Sequence, residues 1–149
     1  MQLITTFICN CNETTYSFQK IMDMPLLLNI NDNNININEL LRRHFSIEYV
    51  SFNTICEKCK NKTTHKKFTN ISHPPCILIL SLQRIDFTRN IKIDCFVKIE
   101  EIIDISNYID QDFIKNSTKY KLVAVINHIG TTIDNGHYIA YIKCEDSNQ

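Results

Sequence analysis

Apolar positions along this 149-residue chain fall into short runs that end at polar or turn-forming residues. This pattern predicts a hairpin over residues 7–18, a short strand at residues 24–28, and two paired strands at residues 47–56 and 63–71. Residues 76–87 are apolar throughout the first half of the run. Such a run is typical of a strand that is buried on both faces at the centre of a sheet.

A helical period occurs between residues 36 and 45. Leu40 and Leu41 are followed by His44 and Phe45 at spacings of three to four, and an asparagine at position 36 or 38 can cap the helix N-terminus. Further along, residues 91–105 predict one or two strands with a bend, residues 108–117 a polar connection, and residues 121–126 and 138–143 a final hairpin. We therefore expect one α+β domain that is mostly β.

Composition and charge exclude some classes of function. The chain has 16 basic and 16 acidic residues, so charge gives no reason to expect nucleic acid or a membrane surface as the main partner. No apolar run approaches the length of a bilayer span, and the first residues lack the basic flank and apolar core of a secretion signal. We expect an intracellular protein, cytoplasmic or nuclear.

Four of the seven cysteines form two close pairs, Cys9 with Cys11 and Cys56 with Cys59. Thiolates at such short spacing can bind one tetrahedral zinc from two tight turns, or knuckles. The C-x-x-C pair has the common spacing, whereas the C-x-C pair is one residue shorter. Disulfides are the alternative, but without a secretion signal a metal site is favoured. The other three cysteines, Cys76, Cys95 and Cys144, are expected to be buried as small hydrophobic residues.

The only two glycines, Gly130 and Gly136, lie in one loop between the two strands of the final hairpin. Glycine permits a positive φ or a close approach of the backbone to a ligand. The loop delivers His137 to the start of a strand, where a catalytic imidazole can be held rigidly. The alternative is that Asn135-Gly136 forms an ordinary hairpin turn and that His137 is a surface residue.

In sequence order, these features resemble the ubiquitin-specific protease family of deubiquitinating cysteine proteases. The paired cysteines match the fingers of that family, and residues 24–28 and 38–45 match the strand and helix between its knuckles. Residues 75–84 resemble a family strand with spaced leucines that ends in arginine. The most specific match is the histidine box, residues 120–142, which looks closest to the small members that WD-repeat proteins activate.

The resemblance implies a papain-like palm sheet at about residues 72–145 and a zinc-ribbon fingers subdomain at about residues 5–71. His137 aligns with the catalytic base of the family, and Gly136 and Tyr138 with the channel that receives the Gly-Gly tail of ubiquitin. His128, the rival imidazole, is expected to be structural.

The resemblance also implies a cofactor and partners. The cofactor is a structural zinc, with Cys9, Cys11, Cys56 and Cys59 as its ligands. The partners are ubiquitin and ubiquitinated proteins, together with a WD-repeat activator.

The chain departs from the family pattern at the nucleophile. In the family, a thumb precedes the fingers and carries the catalytic cysteine, and no cysteine here has that sequence context. The residue that orients the histidine lies beyond Gln149 in the family pattern. We therefore expect the thumb to be absent and the isolated chain to be inactive. The leading hypothesis is a deubiquitinase of which this chain is a partial or split catalytic domain. The first alternative is a noncatalytic ubiquitin-binding or scaffold module. The second is a zinc-ribbon interaction protein unrelated to ubiquitin, and the histidine box disfavours this second alternative.

Overall fold

The computed structural model describes residues 1–51, 55–113, 117–132 and 135–144. Its strands are β1 Gln2–Cys9, β2 Thr14–Lys20, β3 Met24–Leu27, β4 Ile35–Asn36, β5 Glu48–Ser51, β6 Thr64–His73, β7 Leu80–Gln83, β8 Ile85–Asp86, β9 Ile91–Lys92, β10 Val97–Lys98, β11 Ile102–Asp104, β12 Lys119–Lys121, β13 Ala124–Ile129 and β14 His137–Ile142. Helix α1 Ile37–His44 lies between β4 and β5, and two short 3-10 turns, Ser106–Tyr108 and Gln111–Phe113, precede β12. The expectation of a mostly β fold is confirmed.

The first half of the chain forms a four-stranded antiparallel sheet in the order β2-β1-β6-β5. Residues directly opposite each other on neighbouring strands share a face. Leu3 of β1 is opposite Ile71 of β6, and both point into the core with exposures of 7% and 0%. The other face carries Tyr16 and Phe18 of β2, which remain 61% and 59% exposed.

Helix α1 packs against β3 and β4 and buries one side in the core. The side chain of Asn36 accepts a hydrogen bond from the Glu39 amide at 2.8 Å, which satisfies one of the free donors at the helix start. Leu40 and Leu41 are only 1% and 0% exposed. The predicted helix and its asparagine cap are therefore confirmed.

The remaining strands pair two by two within the described residues. β3 with β7 and β4 with β10 are parallel, whereas β8 with β9, β11 with β12, and β13 with β14 are antiparallel. β6 continues to His73, past residue 71, so the proposed boundary between fingers and palm falls inside a strand and stays a prediction. One hydrophobic core joins the two halves: Leu3, Met24, Leu26, Leu28, Ile35, Ile37, Leu40, Leu41, Ile71, Ile93, Cys95, Val97, Ile103, Ile105 and Ile109.

Residues 76–87 differ from their prediction. β7 begins only at Leu80, and among the described residues it pairs with β3 alone. Ile77 is 73% exposed and Ile79 is 51% exposed. The prediction of a long central strand buried on both faces is wrong, because these apolar side chains find no covering element in the described part of the chain.

The structure also tests the predictions for the three remaining cysteines, for residues 91–105 and for a membrane span. Cys95 is buried as expected, but Cys76 and Cys144 are exposed, so their predicted burial is wrong. Residues 91–105 form three short strands rather than one or two. In the described residues, no helix combines the length and apolar content needed to cross a membrane.

Candidate metal centre and histidine loop

The sulfur atoms of Cys9, Cys11, Cys56 and Cys59 converge at the tip of the four-stranded sheet, all within 4.8 Å of one another. The Cys9 and Cys59 sulfurs are 3.9 Å apart, and those of Cys11 and Cys56 are 3.7 Å apart. A tetrahedron with Zn–S bonds of about 2.3 Å has edges of about 3.8 Å. A disulfide bond would be much shorter, at about 2.05 Å. The four thiols therefore fit one tetrahedral metal ion of the size of zinc.

The two knuckles use one backbone design at two lengths. In the first, the Asn12 amide donates to the Cys9 carbonyl and the Cys9 amide to the Glu13 carbonyl, at 2.8 and 2.9 Å. In the second, each span is one residue longer: the Lys60 amide donates to the Cys56 carbonyl, and the Cys56 amide to the Asn61 carbonyl.

The residue after the last cysteine of each knuckle is left-handed, with φ of 64° at Asn12 and 57° at Lys60. Both knuckles thus share a local backbone conformation, and their sulfurs meet in one cluster. The C-x-C spacing is thus a knuckle shortened by one residue rather than a defective pair.

Hydrogen bonds and burial make the two thiols of the first knuckle, buried Cys9 and half-buried Cys11, unequal. The Cys11 amide and then the Thr63 hydroxyl, 3.0 Å from the Cys9 sulfur, lower the pKa of Cys9 to about 6. The Glu13 amide also donates to the sulfur of Cys11, but burial and the neighbouring sulfurs outweigh it and raise the pKa of Cys11 to about 11. Sequence reasoning missed Thr63, which follows the second knuckle with no distinguishing motif.

The second group of candidate residues lies at the turn between β13 and β14. β14 begins at His137, as predicted, and His137 pairs with Ile129 while Tyr138 pairs with His128. Tyr138 is 71% exposed, and its ring centroid lies 4.8 Å from that of His128. Residues 133 and 134, between the two glycines of the loop, lie outside the described residues.

Both glycines of this loop are needed for close packing within the loop. A Cβ at Gly136 would overlap the His128 imidazole and lie 2.6 Å from the Ile129 carbonyl oxygen. A Cβ at Gly130 would lie 2.9 Å from the Cα of Gly136 and also overlap the Asn135 carbonyl. Real Cβ atoms essentially never approach so closely, so Gly136 accommodates the ring of His128. The structure thereby gives His128 the structural contact expected of it.

Lys92 is a further contact residue that sequence reasoning missed. Its ammonium nitrogen lies 3.3 Å from the His128 carbonyl oxygen and also donates to the Gly130 carbonyl. These partners are 36 and 38 residues away in sequence, so no local pattern marks the contact.

With the geometry established, comparison with known proteins gives a consistent result. The sequence model of the family "Ubiquitin carboxyl-terminal hydrolase" matches residues 2–149. A probable ubiquitin carboxyl-terminal hydrolase of Acanthamoeba polyphaga mimivirus is 30% identical over 147 residues, which cover 94% of this chain and 31% of that protein. Ubiquitin carboxyl-terminal hydrolase 25 of Arabidopsis thaliana is 29% identical over 136 residues, covering 90% of this chain and 20% of that protein. The chain therefore spans less than a third of the length of these relatives.

Solved structures agree on the fold. The SAGA DUB module of Ubp8, Sgf11, Sus1 and Sgf73 bound to monoubiquitin contains a chain that matches with a TM-score of 0.83 and 25% identity, covering 97% of this chain and 33% of that one. A yeast SAGA DUB module structure gives a TM-score of 0.78 and 26% identity over the same shares. Because the family match extends over residues 2–149, this chain belongs to the ubiquitin carboxyl-terminal hydrolase family.

Proposed function

We propose that this chain supplies the general base and a ubiquitin-holding surface of a deubiquitinase that cleaves the bond after the C-terminal glycine of ubiquitin. The observation that carries the proposal is His137 at the first residue of β14, in a chain that the family matches over residues 2–149. The finer architecture, a papain-like palm with a zinc-ribbon fingers subdomain, is part of the proposal. A WD-repeat activator and an intracellular location stay predictions.

The chemistry assigned to His137 is proton transfer. In a thiol protease, the thiolate attacks the substrate carbonyl, and the histidine takes the thiol proton and returns it to the leaving amine. His137 is exposed at a strand start, so its imidazole is open to a thiol and a substrate. Gly136 and Tyr138 would line the channel for the ubiquitin tail, with Gly136 also required by the ring of His128.

A structural zinc on the four-cysteine cluster is the second component. The ion would hold the two knuckles together at the tip of the sheet, as zinc does where short strands supply little core of their own. Four thiolate ligands would fill its coordination shell, so no position would remain for substrate. The zinc therefore acts on the fold and takes no part in hydrolysis.

Ubiquitin would bind along the exposed aromatic face of the four-stranded sheet. Tyr16 and Phe18 of β2 and Tyr49 of β5 are 61%, 59% and 74% exposed. Their cross-strand partners show that all three share one face. Aromatic side chains are enriched in protein interfaces, where they contribute a large contact area.

Titration of isotope-labelled ubiquitin with this chain tests the proposal. We expect weak binding, in the high micromolar range or weaker, with amide shifts that include the ubiquitin tail. Phe18→Ala should reduce the shifts, whereas Gln19→Ala, which is exposed on the opposite face of β2, should leave them unchanged. A titration in which no ubiquitin signal moves would overturn the ubiquitin-binding surface, and a silent tail would contradict the assigned channel.

The nucleophile is the remaining component. Four cysteines lie in the metal cluster, and Cys95 is buried in the core. Cys144 lies seven residues beyond His137, past the far end of β14, which puts the two on the order of 20 Å apart along an extended strand. Cys76 is exposed beside Tyr120, and the Tyr120 hydroxyl donates to the Pro75 carbonyl at 2.6 Å. Cys76 lacks the sequence context of the family nucleophile.

We accordingly propose that the 149-residue polypeptide alone neither hydrolyses a fluorogenic ubiquitin substrate nor reacts with a ubiquitin-alkyne probe. Activity would require a segment that brings a thiol to His137, and His137→Ala should then abolish it. Probe labelling that maps to Cys76 or Cys144 would contradict this part of the proposal and identify the nucleophile.

A further inference from the structure

The ammonium group of Lys92 contacts the end of β13, just before the turn that leads to His137. It donates to the carbonyls of His128 and Gly130. Alternate carbonyls point to the same edge of a strand, and the carbonyl between them, that of Ile129, points toward Gly136. Lys92 therefore binds the edge of β13 that faces away from β14. Among the described residues, no strand pairs with that edge.

The base of the Lys92 side chain is firmly anchored. The next residue, Ile93, is 6% exposed in the hydrophobic core. Its amide donates to the Arg84 carbonyl at 2.7 Å. The Arg84 guanidinium donates in turn to the carbonyls of Ile93 and Cys95, at 3.2 and 2.9 Å. The backbone that carries Lys92 is thus fixed to the core, and the ammonium reaches from there to the end of β13.

His128 extends this connection to the loop. Its carbonyl is held by Lys92, while its imidazole fills the space beside Gly136 and lies 4.8 Å from the ring of Tyr138. Gly136 and Tyr138 are the two neighbours of His137 in sequence. A shift of His128 would therefore displace the backbone on both sides of His137.

We propose that Lys92 is a positioning residue for His137, acting through the backbone and ring of His128. The proposal rests on the role of His137 as general base given above. Lys92 itself touches neither the imidazole of His137 nor, by this assignment, the substrate. Its function is to fix the end of β13 so that Gly136 and the start of β14 have one conformation.

Hydrogen exchange on the isolated chain tests the proposal, with three variants compared. Lys92→Met keeps the length of the side chain but removes the ammonium, and Lys92→Arg keeps a charged donor. Lys98→Met is the matched control, because Lys98 is exposed on β10 and has no contact with the hairpin among the bonds described. Loss of hydrogen bonds to a charged donor should speed exchange of the Ile129 and His137 amides by roughly tenfold or more.

The expected pattern is local. Lys92→Met should accelerate exchange and broaden the His137 ring signals, Lys92→Arg should restore most of the wild-type behaviour, and Lys98→Met should change nothing. Unchanged exchange in Lys92→Met would overturn the proposal. Acceleration spread evenly over α1 and the four-stranded sheet would also overturn it, because that result indicates a general stabilising role.

A ubiquitin titration separates this inference from the proposed function. Lys92→Met should reduce the shifts at the ubiquitin tail while preserving those caused by the exposed aromatic face of the four-stranded sheet. If the wild-type chain causes no shifts in ubiquitin, the proposed function is wrong. The exchange data then still decide whether Lys92 fixes the end of β13 and the start of β14. If Lys92→Met keeps both the ubiquitin tail shifts and the exchange rates of the wild type, the positioning role of Lys92 is wrong and the proposed function is unaffected.

Discussion

The β1–β2 hairpin and the β13–β14 hairpin both present chemically active side chains, but they are supported very differently. β1 is paired on both edges, by β2 and β6, and contributes Leu3 to the core and Cys9 to the thiol cluster. β13 and β14 pair only with each other among the described residues. Ile126 and Ile142 of that hairpin are 75% and 73% exposed.

This contrast shows two ways of fixing a functional hairpin. The β1–β2 hairpin is stabilised at one end by apolar packing and at the other end by four thiols suited to a metal ion. A two-stranded hairpin is marginal alone in water, so the second depends on contacts at its ends, including Lys92 and the Lys143–Glu101 ion pair. Its exposed apolar side chains form the kind of surface that binds another polypeptide segment.

Removing a metal ligand should produce the largest effect, and it should act at the end of the four-stranded sheet where the four thiols meet. The purified chain should carry one zinc by elemental analysis, and Cys56→Ser should remove it. Structural zinc contributes an apparent ~10–16 kcal/mol in small zinc domains, so the loss of stability should exceed that of any core truncation.

The control for the metal prediction is Cys76→Ser, since that thiol is exposed and outside the cluster. It should keep the zinc and the melting temperature. Cys9→Ser and Cys11→Ser test the shortened knuckle separately. Full zinc content in both of these variants would show that the C-x-C pair does not bind the ion.

A matched pair of isoleucine truncations tests the difference in packing directly. Ile71 of β6 is 0% exposed, so Ile71→Ala should lower the free energy of unfolding by about 2–5 kcal/mol. Ile126 of β13 is 75% exposed, so Ile126→Ala should change it by less than about 0.5 kcal/mol. Chemical denaturation of both variants gives the two values. Equal losses would mean that the β13–β14 hairpin is packed as well as the four-stranded sheet that supports β1.

The features that depend on neighbouring residues in the chain could be predicted from the sequence. The helix cap at Asn36 and the start of β14 at His137 depend on a few adjacent residues. The two cysteine pairs also gather as their spacing suggests, because each knuckle is one tight turn. The prediction failed where burial depended on a distant neighbour. The apolar run at residues 76–79 predicted burial, but Ile77 and Ile79 are exposed and only Leu78 packs against the core.

The loop around His137 illustrates the same limit. The rarity of glycine identified Gly136 as special, and a ligand approach was the reason suggested by sequence. The structure adds a reason inside the protein, the imidazole of His128 from the opposite strand. Lys92 could not be identified at all, because its contact depends on how β9 lies against the end of β13.

Substitution at Gly136 should have a moderate effect that remains within the second hairpin. Gly136→Ala puts a methyl group against the His128 ring, and overpacking of this kind costs about 1–3 kcal/mol. His128→Ala removes the ring and leaves only the Ile129 carbonyl against the new methyl group, so the double variant should be less destabilised than the sum of the two single variants. Thermal unfolding of the four proteins gives this coupling. Strict additivity would contradict the interlock between Gly136 and His128.

The smallest effect should come from the ion pair that links the two knuckles. Lys58 lies 3.1 Å from Glu13, with side-chain exposures of 59% and 43%. The hydrogen bond and charge of Glu13 raise the pKa of Lys58, so the lysine side of the pair contributes at neutral pH and is lost as pH rises above the ordinary lysine range. Exposed pairs contribute little and are screened by salt.

Lys58→Ala should therefore keep the full zinc content and leave the melting temperature almost unchanged at physiological salt. A loss of zinc in Lys58→Ala would instead show that the four thiols alone do not hold the two knuckles together. The first hairpin would then differ from the second in its dependence on an ion pair as well as on a metal.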